Sequence, residues 1–239
     1  GFYWNDHILS DYNSITDFQY DNKKSKQLRE YGFGVVNTHR KDGVHRGTGA
    51  LIALDDKSSN SFRILKPYST ENLSFQRSSR FSQAYPSSIM GSIALLRQCY
   101  HYLEWYKNGG RTSRDLAIES AIKNYSLPKI FSTGNKLNVI RALKLSKELE
   151  FNSIIEGSGY EFENINDLKN YSNVLVIPVN FPKPFDLTDV NIVEKLSLSQ
   201  LKRWNQAPSN PSVLQKNKIT FSITPNTVKT SKEFFANIQ

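Results

Sequence analysis

Between Leu127 and Pro182 the chain repeats one pattern, and that stretch constrains the fold more than any other. It opens with the short run Pro128-Lys129-Ile130-Phe131, bounded by Ser132-Thr133-Gly134. Leu137, Ile140, Leu143 and Leu149 then step three or four residues at a time, the period of a helix with one buried face. Asn152–Gly157, a second helical stretch around Ile165 and Leu168, and the run Val174-Leu175-Val176-Ile177 complete the series. Strand, helix, strand, helix, strand at this spacing predicts parallel strands joined by right-handed crossovers, an α/β fold. In such sheets chemistry gathers where the strands' carboxyl ends meet the following loops. Those loops read Ser132-Thr133-Gly134, Gly157-Ser158-Gly159 and Pro178-Val179-Asn180. They carry no His or Cys, and their only carboxylates are Glu156 and Glu161.

The 239 residues suffice for one large α/β domain, predicted over 1–239. No apolar run approaches the roughly 20 residues of a membrane span. Gly1–Asp6 has neither the basic start nor the apolar core of a signal peptide. The single cysteine, Cys99, excludes an intrachain disulfide and a zinc–cysteine site; its helical surroundings predict a small buried hydrophobe. A net charge of +9 raises nucleic acid as a partner, but the basic residues are scattered apart from His39–Arg46. No nucleic-acid motif accompanies that cluster, so a solvated basic surface is expected, with no nucleic acid.

Along the chain, Lys23–Tyr31 is expected as a helix ended by Gly32, and Phe33–Thr38 as a buried strand, the parallel neighbour of Ile130–Ser132, with His39 at its carboxyl end. His45 falls in the turn-rich loop that follows. His39 and His45 are near each other, but a metal needs three or four ligands and no others converge in sequence. Ala50–Leu54 and Phe62–Leu65 across a polar loop predict a hairpin, and Leu73–Phe75 a short separate strand. Gly47-Thr48-Gly49 precedes a strand, not a helix, and so is no phosphate loop. Pro86 is expected to start a long helix and Ser113 to cap the next. Leu196–Trp204 reads as a helix with Trp204 as a packing anchor. Ile219–Thr224 alternates like a strand, and a helix follows from Ser231.

Several blocks resemble the amidohydrolase superfamily, in its imidazolonepropionase-like bacterial branch. They are Tyr3-Trp4-Asn5, Gly32–Val36, Asp42-Gly43 with Gly47-Thr48-Gly49, Tyr85–Gln98 with Trp105–Gly109, and Trp204–Pro208, in that order over nearly the whole chain. The resemblance implies a TIM-like (β/α)8 barrel whose first strand would precede Gly1. Active relatives bind zinc or another divalent metal, which activates water to attack a C–N bond. Their ligands are His-x-His after the first strand, His after the fifth and sixth, and Asp after the eighth. Here Ser132 falls at the fifth-strand position and about Ser158 at the sixth. Thr224–Asn226 falls at the eighth, and no His-x-His occurs. A serine hydroxyl is no substitute for an imidazole on zinc.

The resulting expectation is a catalytically degenerate, incomplete barrel with no metal of its own near Ser132, Ser158 or Thr224. Its role would be structural, or binding of a peptide or cyclic amide at the barrel mouth. The ligand-binding candidates are His39, Arg40, His45, Arg46, Ser132, Glu156, Ser158 and Asn180. By the resemblance its partner is the rest of a larger exported bacterial polypeptide that includes an intact amidohydrolase domain. Two rivals stand beside it: a C–N hydrolase using His39 and His45 with Glu156 or Glu161, and a basic module recruiting an acidic partner through Arg40, Lys41 and Arg46. A barrel lacking a strand would leave Phe33–Thr38 and Lys218–Ile223 as open edges. A homo-oligomer, an upstream strand or the aromatic segment Phe2–Ile8 would cover the gap, and that segment is expected to pack on the barrel or a partner.

Overall fold

The computed structural model describes residues 5–55, 60–78, 85–110, 113–185, 188, 194–226 and 228–239. Among the described residues seven strands form one sheet in chain order. They are β1 (Val35–Thr38), β2 (His45–Ala53), β3 (Ile64–Ser74), β4 (Lys129–Ser132), β5 (Ser153–Glu156), β6 (Val174–Pro178) and β7 (Phe221–Thr224). The sheet curls into half a barrel. The helices are α1 (Asn22–Glu30), the single turn α2 (Asn60–Arg63), α3 (Ile89–Trp105), α4 (Leu116–Lys123), α5 (Lys136–Glu148), α6 (Ile165–Leu168), α7 (Leu198–Gln206), α8 (Asn210–Lys216) and α9 (Ser231–Ile238).

From β3 to β7 every pair is parallel, as the alternation after Leu127 predicts. Burial along β4 and β5 alternates residue by residue, so each strand has one covered and one open face. Phe131, Ile155, Leu175 and Ile177 point toward the helices and are buried. They join Leu96 and Cys99 of α3, Ile118 of α4 and Val139 and Leu143 of α5 in the main core. Cys99 is buried, as its helical position implies. The other face carries Ile130, Ser132, Ile154, Glu156, Val174 and Val176, all only half-buried.

The first half of the sheet departs from expectation. Phe33–Thr38 is not the parallel neighbour of Ile130–Ser132. β1 pairs antiparallel with β2, β2 pairs antiparallel with β3, and β3 alone meets β4. The expected hairpin is present, with Ile52 opposite Ile64, but both strands extend farther from the turn, to His45 and to Ser74. β2 begins at His45, which the sequence placed in a loop, and Leu73 and Ser74 close the long β3 instead of forming a separate strand. Polar Lys66, Ser69, Thr70, Glu71 and Asn72 concealed that continuity: hydrophobic patterning misses a strand whose polar side chains are bonded inside the fold. Asn37 Nδ2 donates to Thr70 Oγ1 at 3.0 Å, and Asn72 Nδ2 donates to the Gly47 carbonyl at 3.2 Å.

Smaller corrections concern caps and packing. α3 starts at Ile89, not at Pro86, and is capped by Ser88, whose side chain accepts from the Gly91 amide. Asp115, not Ser113, caps α4, accepting from the Ala117 and Ile118 amides. Trp204 is partly exposed on α7, a helix without a buried residue, and so anchors no core.

Phe2, Tyr3 and Trp4 lie outside the described residues, but the part of the segment that follows Trp4 packs on the sheet. It runs beside β2 on the stretch that β1 leaves free. His45 N donates to the His7 carbonyl at 2.9 Å, and Leu9 N to the His45 carbonyl at 3.0 Å. Farther along, Thr48 N donates to the Tyr12 carbonyl at 2.9 Å and Ser14 N to the Thr48 carbonyl at 3.1 Å. Ile8 and Leu9 are buried by this docking. The close approach requires glycine at position 47, where φ is +78° and an added Cβ would lie 2.2 Å from the Tyr12 carbonyl oxygen. Gly47→Ala is therefore expected to cost about 3 kcal/mol or more, from backbone strain plus overpacking. Equilibrium urea unfolding would measure it, and a cost under about 1 kcal/mol would show that the segment is not held there.

Candidate functional site

The carboxyl ends of β3 to β7 share one rim of the sheet. Because β2 is antiparallel to β3, its first residues lie at that same rim, His45 opposite Leu73. β1 is antiparallel to β2 and leads His39 toward it as well. The rim thus gathers residues far apart in sequence: His39 and Arg46 from the antiparallel part, Ser132 from β4 and Glu156 from β5.

Arg46 is the fixed point of this cluster. It is 4% exposed. Its Nε donates to the Gly43 carbonyl at 3.1 Å and its Nη1 to Ser132 Oγ at 3.1 Å. Burial lowers its pKa, while Glu156 and Asp42 pull it back up. His39 sits in the same field. Its ring is mostly buried, which lowers its pKa; the Arg40 carbonyl and Glu156 act in the opposite sense, and Arg46 and Lys41 add to the lowering. His39 Nδ1 lies 2.8 Å from the Arg40 carbonyl oxygen, an acceptor, so in the neutral ring the proton belongs on Nδ1. The Nε2 lone pair is then left to accept a hydrogen bond. Glu156 is half-buried, and its backbone carbonyl accepts from Thr133 Oγ1 at 2.6 Å.

The remaining candidates are placed elsewhere. Arg40 is 3.3 Å from Asp42 and lies over the Tyr12 ring at 5.2 Å, a surface arrangement beside the cluster. Ser158 serves the loop after β5: its amide and hydroxyl both donate to Glu161, which also accepts from Asn210. Glu161 is thereby committed to holding the loop. Asn180 is exposed just beyond β6.

His45 is not brought to His39. It is 1% exposed and turns to the other face, where its Nε2 lies 3.8 Å from Glu71 Oε1. Burial, with Lys129 adding, lowers its pKa to about 3. A ligand at the rim does not reach it, and a two-histidine site is not formed. Sequence reading missed Asp42, which accepts from Ser78 Oγ at 2.5 Å. It also missed the buried ion pair of Glu71 and Lys129, 3.0 Å apart. The one signal was Lys129 standing in the inward phase of Lys-Ile-Phe-Ser.

The metal implied by the resemblance does not fit these residues. β4 and β7 end in Ser132 and Thr224, which offer hydroxyls where imidazole or carboxylate is needed, and past the end of β5 the Ser158 hydroxyl is already bonded to Glu161. Among the described residues no group of three or more His, Cys, Asp or Glu could hold a metal ion. At Ser132, the position expected for a histidine ligand, the hydroxyl already accepts from the Arg46 guanidinium. A second cation there would meet that charge at short range.

No protein-family model matches the sequence, and no curated protein does. Among solved structures, the crystal structure of an amidohydrolase from Thermotoga maritima MSB8 is similar, with a TM-score of 0.69 and 14% identity. The match covers 96% of this chain and 60% of that one, so the chain spans less than two thirds of the length of its structural relative. At this identity the likeness concerns the fold alone: the half-barrel of this chain has an amidohydrolase-like architecture.

Proposed function

We propose that this chain is an amidohydrolase-like domain that binds a small polar ligand, a peptide or cyclic amide, at the His39–Arg46–Ser132–Glu156 rim. It does not itself carry out metal-dependent hydrolysis of a C–N bond, and it acts within a larger polypeptide that contains an intact amidohydrolase domain. The observation that carries this reading is the Arg46 guanidinium on Ser132 Oγ, a buried cation where the relatives implied by the resemblance would use a metal ligand.

The polar groups suit an amide. A guanidinium donates to a carbonyl oxygen, while the Glu156 carboxylate and the His39 Nε2 lone pair accept from an N–H. The half-buried Ile130, Ile154 and Val176 on the same face offer apolar contact to the remainder of such a ligand.

Calorimetric titration of hydantoin and of dialanine into the protein tests this. Binding of at least one is expected, weakened about tenfold or more in Glu156→Gln, because one charged acceptor is removed. Thermal unfolding of the variant separates that loss from misfolding. Elemental analysis of the same preparation is expected to show no stoichiometric zinc, iron or manganese. Stoichiometric metal together with amide turnover would replace this reading with that of a working hydrolase.

A further inference from the structure

We infer that α7 is a membrane-surface helix, which lays Leu198, Leu201 and Trp204 into the headgroup layer of an anionic bilayer. The inference is independent of the ligand proposed for the rim.

α7 is amphipathic, and its apolar side faces outward. At 100° per residue Leu198, Leu201 and Trp204 share one arc, and Arg203 stands about 160° from the middle of it. Arg203 is the one half-buried residue of the helix; the other eight are exposed. Its Nε donates to Glu163 Oε1 at 2.6 Å, and Glu163 also pairs with Lys136. The polar side is thereby tied to the body of the protein, while Leu198, Leu201 and Trp204 are 66%, 40% and 36% exposed. A nine-residue helix that buries nothing has little to hold it in water. Here a capping box starts it: Ser197 Oγ accepts from the Gln200 amide at 3.2 Å, and Gln200 Oε1 accepts from the Ser197 amide at 2.8 Å. The helix is therefore formed and oriented before its apolar side meets anything.

Charge names the occupant. From 194 to 218 the chain carries five basic residues, Lys195, Lys202, Arg203, Lys216 and Lys218, against the single carboxylate Glu194. Lys195 and Lys202 are exposed, and Lys202 borders the apolar arc beside Leu201. The whole chain has a net charge of +9. Leucine and tryptophan on one side of a helix, with lysine at the border, suit a bilayer surface. The apolar side chains enter the acyl boundary, the indole sits at headgroup level and the ammonium groups meet lipid phosphates. A second copy of this chain fits less well. Three partly covered side chains offer far less than the roughly 800 Å² per partner of a stable interface, and the flanking lysines of the two copies would repel. Among the described residues no helix is long and apolar enough to cross a membrane, so the contact is peripheral.

Cosedimentation of the protein with phosphatidylglycerol vesicles tests this, with phosphatidylcholine vesicles as the comparison. Binding to the anionic vesicles is expected to be about tenfold or more the stronger. The variant Leu198→Ser/Leu201→Ser keeps every charge and is expected to lose about tenfold or more of that binding, whereas Lys202→Gln loses about fivefold. Both changes are at exposed positions, and thermal unfolding checks that the fold is kept. Brominated phosphatidylglycerol is expected to quench the protein's fluorescence, and Trp204→Phe to remove most of that quenching. Absence of binding overturns the proposal. So does binding that the double leucine variant leaves unchanged, which would be the attraction of a basic protein to any anionic surface. A dimer on a sizing column that the same variant abolishes would make the occupant a second copy and overturn it as well.

Discussion

Replacing Lys129 by methionine is expected to destabilise the fold by about 3–5 kcal/mol, because it strands a carboxylate in the core. Lys129 and Glu71 are 1% and 2% exposed, and their charged atoms are 3.0 Å apart. The ammonium also donates to the Leu127 carbonyl at 2.9 Å and to the Tyr125 carbonyl, and it lies 4.9 Å from the centre of the Tyr125 ring. Glu71 is less well served: among the described residues its Oε1 has no hydrogen-bond partner. Glu71→Leu in the Lys129→Met background removes the stranded charge, and the double variant is expected to recover most of the loss. Recovery stays incomplete because the Tyr125 and Leu127 carbonyls lose their donor. Urea denaturation of the four proteins closes the cycle. A double variant no more stable than Lys129→Met would mean that the charge is not what costs.

The same cluster sets a pH dependence with two opposing parts. Burial pushes the Glu71 carboxyl up from its ordinary 4.5 to about 7, against the pull of Lys129. Its contribution to stability is therefore fully present below pH 4.5 and lost as pH rises through about 7. His45 runs the other way. Its contribution is present above its ordinary 6.5 and lost as pH falls through about 3. Glu71→Gln removes only the first part, so its stability relative to the parent is expected to rise with pH between about 5 and 7. A flat difference across that range would contradict the buried, proton-binding carboxylate.

Truncation of Gly1–Asp11 is the second large effect, expected at about 3–6 kcal/mol from the burial of Ile8 and Leu9 alone. The backbone of this segment completes the edge of β2 at His45, through the bond from the His45 amide to the His7 carbonyl and that from the Leu9 amide to the His45 carbonyl. Removal therefore leaves apolar surface and unpaired strand groups together, the combination that drives association. A lower melting temperature and a shift to larger species on a sizing column are the expected results. A truncated protein that stays monomeric and melts unchanged would show that β2 needs no cover. Gly47→Ala approaches the same contact from the other side. The two effects should not add, because both act on the docking of one segment.

Legibility in the sequence followed hydrophobic rhythm. β4, α5, β5, β6 and β7 show it plainly, and each is found where the alternation or the three-to-four step places it. The two edges, β1 and β7, were also legible, because both are short apolar runs at the ends of the strand series. The meander β1–β2–β3 was not. β2 opens with His45-Arg46-Gly47-Thr48-Gly49, and the second half of β3 is largely polar. A polar strand looks like a loop until its side chains are seen bonded to one another across the sheet.

The candidate site divides in the same way. Sequence alone named His39, Ser132 and Glu156, since residues at the carboxyl ends of strands are the ones a curled parallel sheet presents to a ligand, and it named Arg46 from the basic stretch His39–Arg46. It also showed that imidazole was missing after β4, β5 and β7, because residue identity needs no coordinates. Only the tertiary structure decided that His39 joins this group and His45 does not. Both histidines lie in one basic stretch, but β2 begins at His45 and turns it to the helix-covered face, beside Glu71, while its neighbour Arg46 faces the rim. Alternate residues of a strand point to opposite sides, so a single step along the chain separates a binding residue from a core residue. Where β2 starts was set by its pairing with β3 and the docked N-terminal segment, contacts that sequence spacing does not carry.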